Sequence, residues 1–223
     1  MATSPKPVEP RLPLSRERIL RAALAIADEQ GIEALSMRKL AQALGFEAMS
    51  LYNHVANKSD LLDGLLDLVL EETDVPGPDG PWDAAIRARA VSVHGVLRRH
   101  TWAAPLLLSG THIRPGQLRY MDALLRQLRE AGFDDDTTYH AYHVLDGHIF
   151  GFSLWETSHT YSPAVAGDMR EIFERVIDKG LYPDLATHGE QHFAEGPHRE
   201  VSAFEFGLDL ILDGLRALHA DAV

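Results

Sequence analysis

The chain has 223 residues, of which 45% are hydrophobic and 24% charged, with a formal net charge of −12 and no cysteine. This composition supports a globular protein with a substantial core and excludes disulfides, thiol chemistry and thiolate metal sites. No apolar run approaches the ~18 residues of a membrane helix, and the proline-rich start, Met1 to Pro10, lacks the charged-then-apolar order of an export signal, so a cytoplasmic location with no membrane partner is expected.

Residues 1–14 read as a flexible arm, with four prolines and few apolar groups. Ser15 caps a first helix to about residue 30, carrying Ile19, Leu20, Ala23, Leu24 and Ala27 at helical spacing, and Gly31 stops it. Ile32 and Leu35 plug the core beside the connection. Ser36 caps a second helix with Met37, Leu40, Ala41 and Leu44 on its inner face, and Gly45 supplies a turn where positive φ is cheap. A short third helix is expected over 47–54. A fourth starts at Asn57 with Leu61, Leu62, Leu65, Leu66, Val69 and Leu70 on its apolar side.

The run Val75-Pro-Gly-Pro-Asp-Gly-Pro81 is the clearest internal break, so the domains are expected at 15–74 and 75–223. Beyond it, helices are predicted over 82–100, 103–108, 115–131, 135–158, 165–179 and 201–219, with an irregular stretch at 181–199. No alternating strand pattern and no internal repeat is present, and the expected fold class is all-α.

Two short helices joined by a glycine turn have the layout of a helix-turn-helix, whose second helix enters a DNA major groove ~12 Å wide. Ala48, Met49 and Ser50 are small or flexible enough to let a helix tip approach base edges, with apolar contact available for thymine methyls. Tyr52 and Lys58 suit phosphate oxygens, the start of the fourth helix offers free backbone amides, and Arg38 has the reach for a guanine edge. The plain alternative is a packed three-helix subdomain with Tyr52 half-buried and Lys58 solvated. The charge permits the DNA reading because it is uneven: residues 1–60 hold eight Lys/Arg against seven Asp/Glu, and residues 61–223 hold thirteen against twenty-six.

Gly31-Ile-Glu-Ala-Leu-Ser-Met-Arg, then Leu51-Tyr-Asn-His-Val55 and Asn57-Lys-Ser-Asp-Leu-Leu62, resemble the N-terminal domain of TetR-type repressors. A looser likeness to the tetracycline repressor subgroup runs through Pro81-Trp-Asp, Gly110-Thr111, Arg114-Pro115, Gly147-His148, Glu156 and the segment from Phe206 to Leu215. The resemblance implies an N-terminal three-helix DNA-binding domain and a larger C-terminal helical domain for effector binding and dimerisation. It implies a homodimer that binds a palindromic double-stranded operator and is released by a small-molecule effector. Carried over, Arg38, Ala48, Met49, Ser50 and Asn53 would read bases, while Tyr52, His54 and Lys58 would contact or support phosphates. The family's glutamine, proline and tryptophan are replaced by Ala48, Met49 and Asn53, so the operator is expected to differ from the tetracycline operator.

In the tetracycline repressor a histidine three residues before the threonine of the Gly-Thr step helps hold a magnesium–drug chelate. Here that position is Leu108, and a second ligand-contact histidine becomes Asp74, while Glu156 matches the partner-subunit carboxylate. No metal or other cofactor is therefore expected, and an apolar or aromatic effector is. His112 lies close by in sequence and is a candidate to substitute for the lost histidine. Leu108, Thr111, His112, Met121, Tyr142, Phe152, Trp155 and Glu156 are the candidate effector residues, with plain helix-packing core as the alternative for the aromatic ones. His140, His143 and His148 read as hydrogen-bonded or interface histidines, and His188, His192 and His198 as a solvated loop. The helices at 135–158 and 201–219 carry broad apolar faces and Gly147, Gly151, Gly207 and Gly214, which permit close helix approach between two copies. No Ser/His/Asp arrangement, phosphate loop or metal spacing supports an enzyme. The nearer rival is a regulator of the same type that activates, or that answers to a protein partner.

Overall fold

The computed structural model describes residues 13–74, 80–109, 114–159, 163–193 and 202–222. Among them the regular structure is helical throughout, without a strand, and no helix is long and apolar enough to cross a membrane. The expected arm over 1–14 falls almost wholly outside the described residues. The chain divides into two compact units, Met1–Asp74 with Gly95–Ala123, and Val75–His94 with Leu124–Val223.

The first unit opens with α1, Arg16–Gln30, whose cap Ser15 accepts the amide of Arg18. Gly31 ends it at φ 82°, a conformation that glycine adopts without strain. A one-turn 3₁₀ helix, Ile32–Ala34, leads to α2, Met37–Leu44, capped by the Ser36 side chain at Lys39 N. Helix α3 covers Ala48–Leu51, and α4 covers Lys58–Glu71. The third helix is thus shorter than the expected 47–54. It has no side-chain cap, and the chain turns after Tyr52 to bury Val55 before Asn57 starts α4. Ile19, Leu35, Leu40, Leu51, Leu61 and Leu65 form the core of these helices.

Three further segments complete this unit: the C-terminal end of α5 (Trp82–Arg99), α6 (Ala103–Ser109) and the start of α7 (Pro115–Glu130). His100, just past α5, is buried, and both of its ring nitrogens face carboxylates: Nδ1 lies 2.8 Å from Asp28 of α1, and Nε2 lies 3.2 Å from Glu72 at the end of α4. Trp102 Nε1 donates to the same Asp28 oxygen at 2.8 Å, and Arg99 donates to Glu72 at 2.9 Å. Burial pushes the Glu72 carboxyl up, but Arg99 and His100 outweigh it and hold the group below its usual range. Farther along α4, Asp63 pairs with Arg114 and Asp67 accepts the amide of Gly116. These residues recur at i, i+4 spacing, so one face of α4 is fastened to the start of α7.

The second unit holds the rest of α5 and α7 with α8 (Asp135–His159), α9 (Pro163–Val176), α10 (Pro183–Phe193) and α11 (Ala203–Ala222). Leu145 and Ile149 of α8 and Phe204, Leu208 and Leu212 of α11 are buried. Arg87 bridges α5 to Asp209, and Arg216 bridges α11 to Asp83. The expected irregular stretch at 181–199 contains α10, and His188 and His192 lie on that helix rather than in a loop. His198 lies outside the described residues. Pro183 stands at the first helical position, where its missing N–H costs nothing. Gly189, which reads as a breaker, instead makes room for the Phe173 ring of α9. Helix α9 ends before the expected residue 179 because the Asp178 carboxylate accepts the amides of Gly180 and Leu181 and closes a turn.

Of the four small positions on α8 and α11, only Gly207 is crowded: a Cβ there would lie 2.6 Å from His148 Cε1. Gly147, Gly151 and Gly214 have no described atom of the chain within 4 Å of that point.

Candidate nucleic-acid interface and effector residues

The N-terminal frame is locked by backbone chemistry. Gly45 ends α2 in the left-handed region at φ 75°, ψ 30°. The amide of Phe46 reaches Ala41 O at 3.0 Å and that of Gly45 reaches Gln42 O at 3.2 Å, the paired bonds of a Schellman stop. That stop aims the chain into α3, whose Leu51 is fully buried. The opposite face is left to solvent: Met49 is 74% exposed and Tyr52 42% exposed. Asn53, Lys58 and Arg38 are exposed, and Ala48, Ser50 and His54 are intermediate.

Asn57 caps α4 by accepting the amide of Asp60 at 2.9 Å, and Lys58 is the first residue of that helix. The arrangement brings a one-turn helix with a flexible apolar tip beside a phenol, a lysine and the amide end of α4. These are the parts that a groove-reading helix and its flanking phosphate contacts need. Tyr52 keeps more than half of its surface covered, and Lys58 is solvated.

The candidate effector residues separate by unit. Leu108 is exposed on α6 and Met121 is half-buried on α7, both in the first unit. Thr111 and His112 lie outside the described residues. Tyr142, Phe152, Trp155 and Glu156 are all on α8 in the second unit. Tyr142 is buried, and its hydroxyl donates to Asp146 at 3.4 Å. Burial, and then the Asp146 charge, push the phenol up to about 12, so it stays a donor across the physiological range.

Phe152 and Trp155 have ring centroids 5.4 Å apart. Glu156 accepts a hydrogen bond from His94 Nε2 at 2.9 Å. His94 stacks on Phe204 at 3.8 Å with planes 9° apart, and His148 covers Phe204 from 4.9 Å at 18°. His148 Nε2 donates to the Phe204 carbonyl at 2.9 Å, which fixes that ring's orientation. His94 and Phe204 were missed as site neighbours at the sequence level. A partial signal existed, since His148, Phe152, Trp155 and Glu156 fall at i, i+4, i+7 and i+8 on one face of α8. Their partners on α5 and α11 come from distant sequence and had no such mark. His143 Nδ1 bonds the carbonyl of Tyr139, one turn back on the same helix, at 2.7 Å.

Comparison with known proteins accounts for both ends of the chain. Residues 19–65 match the family of bacterial regulatory proteins described as the tetR family, and residues 76–219 match the tetracyclin repressor-like C-terminal domain. The chain is 34% identical to the HTH-type transcriptional repressor DrrR1 of Streptomyces coeruleorubidus, over 95% of this chain and 80% of that protein. It is 32% identical to the class D tetracycline repressor protein of Escherichia coli, over 89% of this chain and 93% of the repressor. Among solved structures, ActR of Streptomyces coelicolor in complex with actinorhodin superposes with a TM-score of 0.74 at 28% identity, covering 93% of this chain and 99% of ActR. With matching families at both ends and relatives spanning nearly its whole length, the chain belongs to the TetR family of transcriptional regulators.

Proposed function

We propose that the protein is a cytoplasmic, homodimeric repressor that binds a palindromic operator and releases it when a small apolar or aromatic effector binds. The observation that carries the reading is the solvent-facing set Met49, Tyr52, Asn53 and Lys58 on a frame held from behind by Leu51 and the Gly45 stop. Arg38, Ala48, Met49, Ser50 and Asn53 read bases, and Tyr52, His54 and Lys58 hold phosphates. Ala48, Met49 and Asn53 give it an operator different from the tetracycline operator.

The dimer forms through α8 and α11. Tyr139, Val144, Phe206, Leu210 and Leu218 are large apolar residues exposed on these two helices, and a second copy would cover them. A groove of about 300 Å³ between Val144, Leu210, Gly214 and Leu218 offers a seat for the same helices of a second copy. Leu108, Thr111, His112, Met121, Tyr142, Phe152, Trp155 and Glu156 serve the effector, and Leu108 in place of a metal-ligating histidine favours a metal-free apolar or aromatic molecule.

Lys58→Ala weakens binding to every DNA and lowers the salt slope by about one unit. Arg38→Ala costs ~1–3 kcal/mol and relaxes preference at a single base position. Affinity for DNA unchanged in the lysine variant removes its phosphate role, and a uniform loss across sequences in the arginine variant assigns that side chain to the backbone. Light scattering at micromolar protein gives the mass of a dimer; a monomer there overturns the pairing of α8 and α11.

A further inference from the structure

Arg16, the first residue of α1, lies outside the proposed DNA-facing set, yet its guanidinium reaches into the turn that carries much of that set. Nη1 donates to the carbonyl of His54 at 3.2 Å and to Asp60 Oδ2 at 2.9 Å, and Nη2 donates to Asp60 Oδ1 at 2.7 Å. Asp60 Oδ2 also accepts the amide of Ala56 at 2.8 Å, and the Asp60 amide is held by the Asn57 cap. Gly64, one turn along α4, leaves the space that Leu20 and Arg16 occupy: a Cβ there would lie 2.7 Å from Leu20 Cδ2 and 3.3 Å from Arg16 Nη2. The turn between α3 and α4 is therefore fastened at its His54 end to the planar guanidinium fork and at its Ala56 end to the carboxylate that the fork holds. Tyr52 and Lys58 flank the fastened stretch.

An ion pair with side chains 43% and 32% exposed adds little to global stability. Its bidentate geometry is directional, however, and fixes orientation better than a point charge does. We propose that Arg16 and Asp60 are a positioning pair for operator recognition, setting the 52–58 turn so that Tyr52 and Lys58 meet phosphates while α3 lies in the groove. The competing role for Asp60 is simple charge: a carboxylate two residues from Lys58 repels phosphates wherever the turn sits. The two roles predict opposite signs. Removing a repelling charge tightens all DNA binding alike, whereas removing a positioning contact loosens binding to the correct sequence more than to any other, because only there must the phosphate contacts and the seating of α3 in the groove be met together.

The inference rests on the DNA-facing reading of α3 and α4. Asp60→Asn removes the charge and the fork while keeping side-chain size; Arg16→Lys keeps the charge and removes the fork. Two probes are used, a short duplex of random sequence and an operator recovered by selection from a random duplex pool. Asp60→Asn binds the random duplex at least as well as the parent but binds the operator about tenfold less tightly. Arg16→Lys lowers the operator-to-random ratio to a similar degree, and the double variant lowers it no further. A ratio unchanged in both variants, with the two probes rising or falling together, overturns the positioning role. Thermal midpoints identify a misfolded variant, and Arg16→Lys carries the test if Asp60→Asn fails to fold. Failure of the underlying reading looks different, since Lys58→Ala then leaves affinity for the random duplex untouched.

Discussion

Replacing His100 with alanine lowers the unfolding free energy by about 2–3 kcal/mol, read from urea midpoints at neutral pH. The imidazole is the only described group that touches both Asp28 of α1 and Glu72 at the end of α4, and its removal leaves two carboxylates facing a vacated space. Exposure of those carboxylates, at 28% and 37% of their side chains, keeps the figure below that of a fully buried pair. Two isosteres divide the loss. Asparagine places a donor where Nδ1 stood and keeps the Asp28 bond, while glutamine reaches toward Glu72 in place of Nε2; each recovers part of the stability. Acid tests the same network. Glu72 is held below the ordinary carboxylate range, so its contribution is complete above the unfolded-state value and is lost as pH falls through the folded one. The alanine variant loses part of that acid sensitivity. An unchanged urea midpoint in His100→Ala contradicts the argument.

Leu51→Ala is expected to cost about 2–5 kcal/mol and to abolish operator binding. Helix α3 has four residues, far too few to be stable alone, because a first helical turn costs more entropy than one hydrogen bond returns. What holds it is the complete burial of Leu51 with the bonds from His54 and Val55 amides back to the Leu51 carbonyl. Deleting that side chain leaves a cavity under the recognition helix. Amide exchange at residues 51–55 then accelerates more than exchange elsewhere in α1 and α2. Met49→Ala supplies the contrast: its side chain is exposed, so stability changes by less than about 0.5 kcal/mol. Equal losses of stability in the two variants remove the distinction between the buried and the reading face.

The elements legible in the sequence were those with local punctuation. Ser15, Ser36 and Asn57 cap where side-chain oxygens precede apolar spacing, and Gly31 and Gly45 stop helices at positive φ. The solvent-facing residues beside α3 were legible for a related reason, since no core position claims Met49, Tyr52, Asn53 or Lys58. Helix α10 was hidden because Gly189 has the look of a breaker until Phe173 is seen lying against it. The length of α3 was misjudged because the need to bury Val55 is not a local signal. Residues 28, 72, 100 and 102 come together only through tertiary packing, and no window of sequence contains them all. The same holds for the His94–Phe204–His148 stack, which joins three helices.

Gly147, Gly151 and Gly214 carry a thermodynamic consequence. A glycine inside a helix costs about 1 kcal/mol relative to alanine, so the three withdraw about 3 kcal/mol from the isolated chain. Nothing described in that chain occupies the space they leave. In the dimer proposed through α8 and α11, the loss is recovered when the matching surface of another copy closes against them. Folding and association then share a single equilibrium, and the folded fraction follows total protein concentration. The proposed pairing thus predicts a melting temperature that rises with protein concentration, and a cell that makes few copies would hold each one nearer to unfolding.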